Sequence, residues 1–179
     1  YPDLGDGPAD DFTIASRLSF GLWDSLPDPA LFNLAKQGRL NTRDQVVTQA
    51  KRMLEDPRAR AKVRDFLGHW LQLDHVESLA KDAEMFPDFT PEVIADLRTS
   101  LMIFLDDAMW NGAADYRELL LADYLYVNDR LAEFYGIEGG HADFAKVVLG
   151  DRQRSGVITH PYLLAMFSYP KSTSPIHRG

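Results

Sequence analysis

Thr90-Pro91-Glu92-Val93-Ile94-Ala95-Asp96-Leu97-Arg98-Thr99-Ser100-Leu101-Met102-Ile103-Phe104-Leu105-Asp106-Asp107-Ala108-Met109 sets the fold class of this chain. Thr90 is a good N-cap, and Pro91 suits the first helical position because its missing N–H would have no partner there. Val93, Ile94, Leu97, Leu101, Phe104, Leu105 and Met109 then recur at helical spacing, which gives one helix a broad apolar stripe. On its N-terminal side the same period predicts four more helices. The first runs from Asp11 to about Leu26 on Ile14, Leu18 and Leu22, and a short one starts at Pro29 and is ended by Gly38. A third is capped by Asn41 or Thr42 and carries Val46, Val47, Ala50 and Leu54, and a fourth runs from Pro57 to about Leu73. Residues 74–89 hold no clear period and read as an irregular connection. Beyond Asn111-Gly112, short helices are expected at Tyr116–Leu121 and at Val127–Tyr135, the latter ended by Gly136. Phe144–Leu149 and Gly156–Thr159 read as a small hairpin or two irregular extended pieces.

The expectation is an all-α fold: a multi-helix bundle over 12–138, preceded by a Gly, Pro and Asp-rich linker at 1–11 and followed by a small irregular or short-hairpin C-terminal lobe at 139–179. Leu22, Trp23, Phe66, Trp70, Leu97, Leu101, Phe104, Tyr124, Tyr126 and Leu131 are expected to form much of the core. Asp123-Tyr124-Leu125-Tyr126-Val127-Asn128 is dense in polar-tipped aromatics, which implies buried hydroxyls with partners.

Composition narrows the function classes. With 45% hydrophobic and 26% charged residues in 179, the chain can bury a core and is not intrinsically disordered. Its net charge of −8 opposes the sign that phosphate-backbone binding needs, so no nucleic-acid partner is expected. No apolar run approaches the roughly 20 residues of a membrane span, so no transmembrane segment is expected. Zero cysteines exclude disulfides, thiolate nucleophiles, zinc–thiolate sites and a C-x-x-C-H haem attachment within these residues. No cofactor and no metal is expected in the chain itself.

Candidate chemistry is sparse. Glu138-Gly139-Gly140-His141 has the Glu-x-x-His spacing of helical di-metal sites, but two glycines make it a loop. His69 and His75 flank Trp70 and Asp74, a pattern more typical of a hydrogen-bonded core edge than of a ligand pair. Ser168-Tyr169-Pro170-Lys171 matches S-x-x-K, yet Pro170 opposes the helical turn that would bring lysine to serine, and no K-T-G or S-D-N element accompanies it. Lys51, Arg52, Arg58, Arg60, Lys62 and Arg64 read as a solvated face interleaved with Glu55, Asp56 and Asp65. Trp23, Trp70 and Trp110 could stack carbohydrate, although each sits in a helical apolar series that favours the core.

Three segments in order resemble the planctomycete-type cytochrome-associated proteins, helical domains of unknown function that precede a C-x-x-C-H c-type haem segment. They are Leu18-Ser19-Phe20-Gly21-Leu22-Trp23-Asp24-Ser25-Leu26-Pro27-Asp28; Ala122–Asn128 with Leu131-Ala132 and Tyr135-Gly136-Ile137; and Arg154–His160 through Thr173–Gly179. Asp56-Pro57-Arg58-Ala59-Arg60 and Phe86-Pro87-Asp88-Phe89 also fit, and the resemblance spans about residues 12–179. It implies an exported parent, periplasmic or extracellular, with covalent haem c downstream and this piece as its non-catalytic scaffold or interaction domain. The downstream haem domain would be the partner, with a polysaccharide or another protein as a further one. The alternative is the substrate-binding part of a haem-dependent enzyme. No catalytic residue is carried over; His160, Ser174, Pro175, His177, Arg178 and Gly179 are the candidate binding or interdomain positions.

Overall fold

The computed structural model describes residues 9–73, 79–111, 115–137, 142–149 and 155–174. The chain packs as two compact units, Tyr1–Trp70 and Leu71–Gly179.

The first unit holds four helices, α1 (Asp11–Trp23), α2 (Pro29–Lys36), α3 (Arg43–Leu54) and α4 (Pro57–Trp70). Each start has a local cause. Asp10 accepts from the Thr13 N–H, Asp28 from the Leu31 N–H, and Thr42 with Gln45 forms a reciprocal capping box. α1 ends at Trp23, earlier than the periodicity predicts, because Asp24 takes a left-handed conformation (φ 55°) that stops the helix. Trp23 is buried, donates its indole N–H to the Met53 carbonyl at 2.8 Å, and lies beneath Arg58, whose guanidinium carbon is 3.5 Å from the ring centroid. Arg58 also bonds Asp56, whose carboxylate caps the α4 start through the Arg58 N–H. Arg52 pairs with Asp28 through both guanidinium nitrogens. The Trp23-Asp24-…-Asp28 and Asp56-Pro57-Arg58 motifs are therefore a joint that fixes α1, α2, α3 and α4 to one another.

Two residues expected in this core lie outside it. Phe66 is 62% exposed and Trp70 51%. The buried row of α4 runs through Ala59 and Leu67, and the small Ala59, 1% exposed, lets the α4 backbone approach its neighbours closely. Phe66 and Trp70 occupy the adjacent i, i+4 row and stack on each other, centroids 6.5 Å apart. Leu22 and Tyr126 are half-buried; the remaining residues expected in the core are buried.

The second unit is built around α5 (Pro91–Trp110), with Thr90 accepting from the Val93 N–H as its cap. Leu97, Leu101, Phe104, Leu105 and Ala108 form its buried stripe, and each large apolar side chain sealed this way contributes roughly 1.5–3 kcal/mol. α6 (Tyr116–Leu121), strand β1 (Tyr124–Val127), α7 (Asp129–Tyr135), strand β2 (Ala145–Val148), a 3-10 turn (Val157–Thr159) and α8 (Pro161–Met166) follow. The fold is mostly helical, but a two-stranded sheet is present. β1 and β2 pair antiparallel with Tyr124 opposite Val148 and Tyr126 opposite Lys146. Of the two forms expected for 144–149 and 156–159, a hairpin or two irregular extended pieces, neither is what forms. Phe144–Leu149 finds its partner in the Tyr124–Val127 run, while Val157–Thr159 coils, its Thr159 hydroxyl donating back to the Ser155 carbonyl. Val127, expected in a helix, ends β1, because Asn128 caps α7 one residue later by accepting from the Leu131 N–H.

Candidate functional site

All the groups described next lie in the second unit. His160 is 1% exposed and stands at the N-terminus of α8. Its Nδ1 accepts the Tyr162 N–H at 3.3 Å, and its Nε2 lies 3.3 Å from Ser100 Oγ on α5. A neutral imidazole has one donor and one acceptor nitrogen; with Nδ1 accepting, Nε2 carries the proton and donates to Ser100. The pair therefore has the serine–histidine spacing without its chemistry, since Nε2 has no lone pair with which to take a hydroxyl proton.

The carboxyl end of α8 is held as firmly. Lys81 Nζ donates to the carbonyls of Ala165 (2.7 Å), Ser168 (2.9 Å) and Tyr169 (3.1 Å) and to Ser168 Oγ (2.7 Å). Burial pushes the Lys81 pKa down, while four acceptor oxygens hold the charged form. Ser168 Oγ gives its own proton to the Ala165 carbonyl at 3.0 Å, so this serine and lysine cap a helix end and do not form a nucleophile–base pair. The S-x-x-K lysine, Lys171, turns away and pairs with Asp82 at 3.0 Å.

Beside the carboxyl end of α8 lies a half-open groove of about 460 Å³. Met85, Phe86, Phe89, Phe134, Leu164 and Ala165 supply its apolar lining, and Lys81 and Asp88 its charged groups. Asp82 orders the 82–86 turn by accepting from the Glu84 and Met85 N–H groups, and Phe89 packs on Phe134 at 6.1 Å. The Phe86-Pro87-Asp88-Phe89 motif thus forms one wall, and α8 with the 168–173 segment the other. Met85, Phe86 and Tyr169 are all about half exposed.

A second polar cluster ties the sheet to α5. Tyr124 donates to Asp107 Oδ2 at 3.0 Å and Lys146 donates to the same oxygen at 3.0 Å, its ammonium 3.6 Å from the Tyr124 ring centroid. Burial acts to raise the Asp107 pKa, but hydrogen bonds from Lys146, Tyr126, Tyr124 and Asn111 outweigh it and hold the carboxyl below its ordinary value. Burial, then the hydrogen bond to Asp107, pushes Tyr124 well above the ordinary phenol range and Tyr126 up to about 12. The Tyr124 phenol is held as a donor to Asp107, a partnered hydroxyl of the kind the sequence leads one to expect.

Of the residues singled out in the sequence, Ser174 is buried next to groove-lining Thr173, and Pro175, His177, Arg178 and Gly179 lie outside the described residues, as do His75, Glu138 and His141. His69 is exposed and bonds the Asp65 carbonyl through Nδ1. Among the described residues, no group of three or more His, Asp or Glu side chains is placed to hold a metal ion, and no helix is long and apolar enough to cross a membrane. Lys81 and Ser100 carry no sequence signal, because each is a lone polar residue whose partners sit 60 or more positions away.

The family model described as protein of unknown function (DUF1592) matches residues 9–137. No curated protein and no solved structure matches the chain.

Proposed function

The chain belongs to the DUF1592 family of unknown function, and from that premise we propose that it is a non-catalytic scaffold and interaction module of an exported, c-type-cytochrome-like electron-transfer or oxidoreductase protein. One observation carries the reading. The two groups best suited to chemistry, His160 and Lys81, are both spent on the ends of α8, one capping its first turn and the other its last carbonyls. That arrangement builds a rigid wall and spends both groups, so neither stands as a free base beside a nucleophile.

The cytochrome setting rests on the ordered motifs that resemble the cytochrome-associated proteins. These residues do not fit a covalent haem. They include no cysteine, His160 has both ring nitrogens engaged, and His69 Nδ1 is bonded to the backbone. The proposal accordingly places haem c and its ligands in a downstream domain of the same polypeptide, in the periplasm or outside the cell. That domain is the partner, and no chemical step is routed through the residues described here.

The test is Lys81→Met and His160→Gln in the complete protein. Both are expected to lower Tm and to leave kcat with a soluble electron acceptor such as ferricyanide at the parental value. A tenfold fall in kcat in a variant that remains folded contradicts the non-catalytic reading. A second reading, the substrate-binding part of a haem-dependent enzyme, is favoured by the nearly parallel, stacked Phe66 and Trp70 rings, 11° apart and exposed. Saturable quenching of tryptophan fluorescence by a soluble polysaccharide, lost in Trp70→Ala, supports that reading instead.

A further inference from the structure

We propose that the groove between Met85–Phe89 and α8 is a binding site for a small, uncharged, ring-bearing molecule. The inference stands whether or not a haem domain follows. The volume, about 460 Å³, falls in the range of small-molecule sites, as does the make-up of a mostly apolar lining with a few polar groups. The walls are set before anything binds: Lys81 and His160 hold α8, the Asp82 turn and its Lys171 ion pair hold the facing segment, and Phe134 supports Phe89. A preformed site loses less on binding than one that must order first.

Charge and length select the occupant. One ammonium and one carboxylate, Lys81 and Asp88, line the groove, so neither sign of ligand gains a net attraction. The ammonium has three N–H groups and four oxygens already on it, leaving no donor for a ligand anion. Phe86, Phe89, Phe134 and Tyr169 present aromatic rings, and Met85 an adaptable thioether, which together favour a flat ring system. α8 has six residues, about 9 Å of helix, too short a wall for the i to i+7 anchors of a docked helix.

The experiment is a fluorescence titration of the folded 179-residue chain with neutral N-phenyl-1-naphthylamine, beside the anionic dye 8-anilinonaphthalene-1-sulfonate. The expected result is saturable one-to-one brightening by the neutral probe and at least tenfold weaker binding of the anion. Ala165→Trp, which fills the groove, and Ser172→Trp, which narrows its exposed rim without touching the core, should each weaken the neutral probe at least fivefold. No saturable binding, tighter binding of the anion, or binding unchanged in both variants at wild-type Tm overturns the proposal. Displacement of the probe by an added peptide but by no small aromatic assigns the groove to a protein partner and overturns it as well.

Discussion

Gly156→Ala should be among the most damaging single methyl additions in the second unit. Gly156 has φ 58° and ψ −164°, a region that is essentially glycine-only, and occupying it with a side chain costs about 1–3 kcal/mol. A Cβ there would fall within 2.5 Å of the Leu119 and Leu120 carbonyl oxygens, which are backbone atoms that cannot swing aside. Overpacking adds about 1–3 kcal/mol. The glycine N–H also donates to the Ala122 carbonyl at 2.7 Å, so the chain cannot retreat without breaking that bond. The sum is a loss of about 2–6 kcal/mol. Gly136→Ala is the control: φ is 63°, but nothing lies within 4 Å of the added carbon, so only the left-handed penalty of about 1–2 kcal/mol applies. Urea unfolding at pH 7, followed by circular dichroism, reads both. A Gly156→Ala loss equal to or smaller than that of Gly136→Ala refutes the close approach of residue 156 to α6.

Other residues give sharper local tests. Trp23→Phe keeps an aromatic ring but removes the indole donor to the Met53 carbonyl, which still accepts the Asp56 N–H, so the lost hydrogen bond should cost about 0.5–1.5 kcal/mol in the same assay. Trp70→Ala should cost less than about 1 kcal/mol, far below a core tryptophan, because half of the side chain is already in water. Asp28 has its pKa lowered, chiefly by the Arg52 hydrogen bond. Its contribution is therefore present above the unfolded value of about 3.9 and is lost as pH falls through the lower folded value, so Asp28→Asn should flatten the stability profile below about pH 4. Tyr126 shifts the other way, burial and Asp107 raising it to about 12. Stability should then decline as pH rises from about 10 through 12, and Tyr126→Phe should soften that decline in Tm measured against pH.

Helix starts were written locally and could be read. Thr90-Pro91, Pro29 and Thr42 mark the starts of the elements that follow them, because a cap needs only residues three positions apart, whereas the Asn128 cap is missed and its helix placed too early, at Val127. The strand pairing was not legible. Tyr124–Val127 and Ala145–Val148 are four residues each, and their partners are set by packing of Tyr124 against Phe104 and by the Asp107 cluster, neither of which is local. Trp70 misleads for a related reason. Two i, i+4 rows run along α4, and the choice between a heavy row and one containing Ala59 depends on how closely the neighbouring helix approaches. Among the candidate residues, His160 stood out as a late histidine; its cap to the Tyr162 N–H is local, but the partner of its other nitrogen, Ser100, lies sixty positions away. The groove was visible only as the unexplained Phe86-Pro87-Asp88-Phe89 motif; its opposite wall comes from α8 and the 168–173 segment.

The central claim is a helical module that serves a haem centre it does not itself contain. The most direct measurement is a dithionite-reduced minus oxidised absorbance spectrum of the full polypeptide carrying these residues, purified from its own host, beside the spectrum of the 179-residue chain. The account predicts sharp c-type bands in the full polypeptide and none in the chain alone. A full polypeptide without haem bands contradicts it.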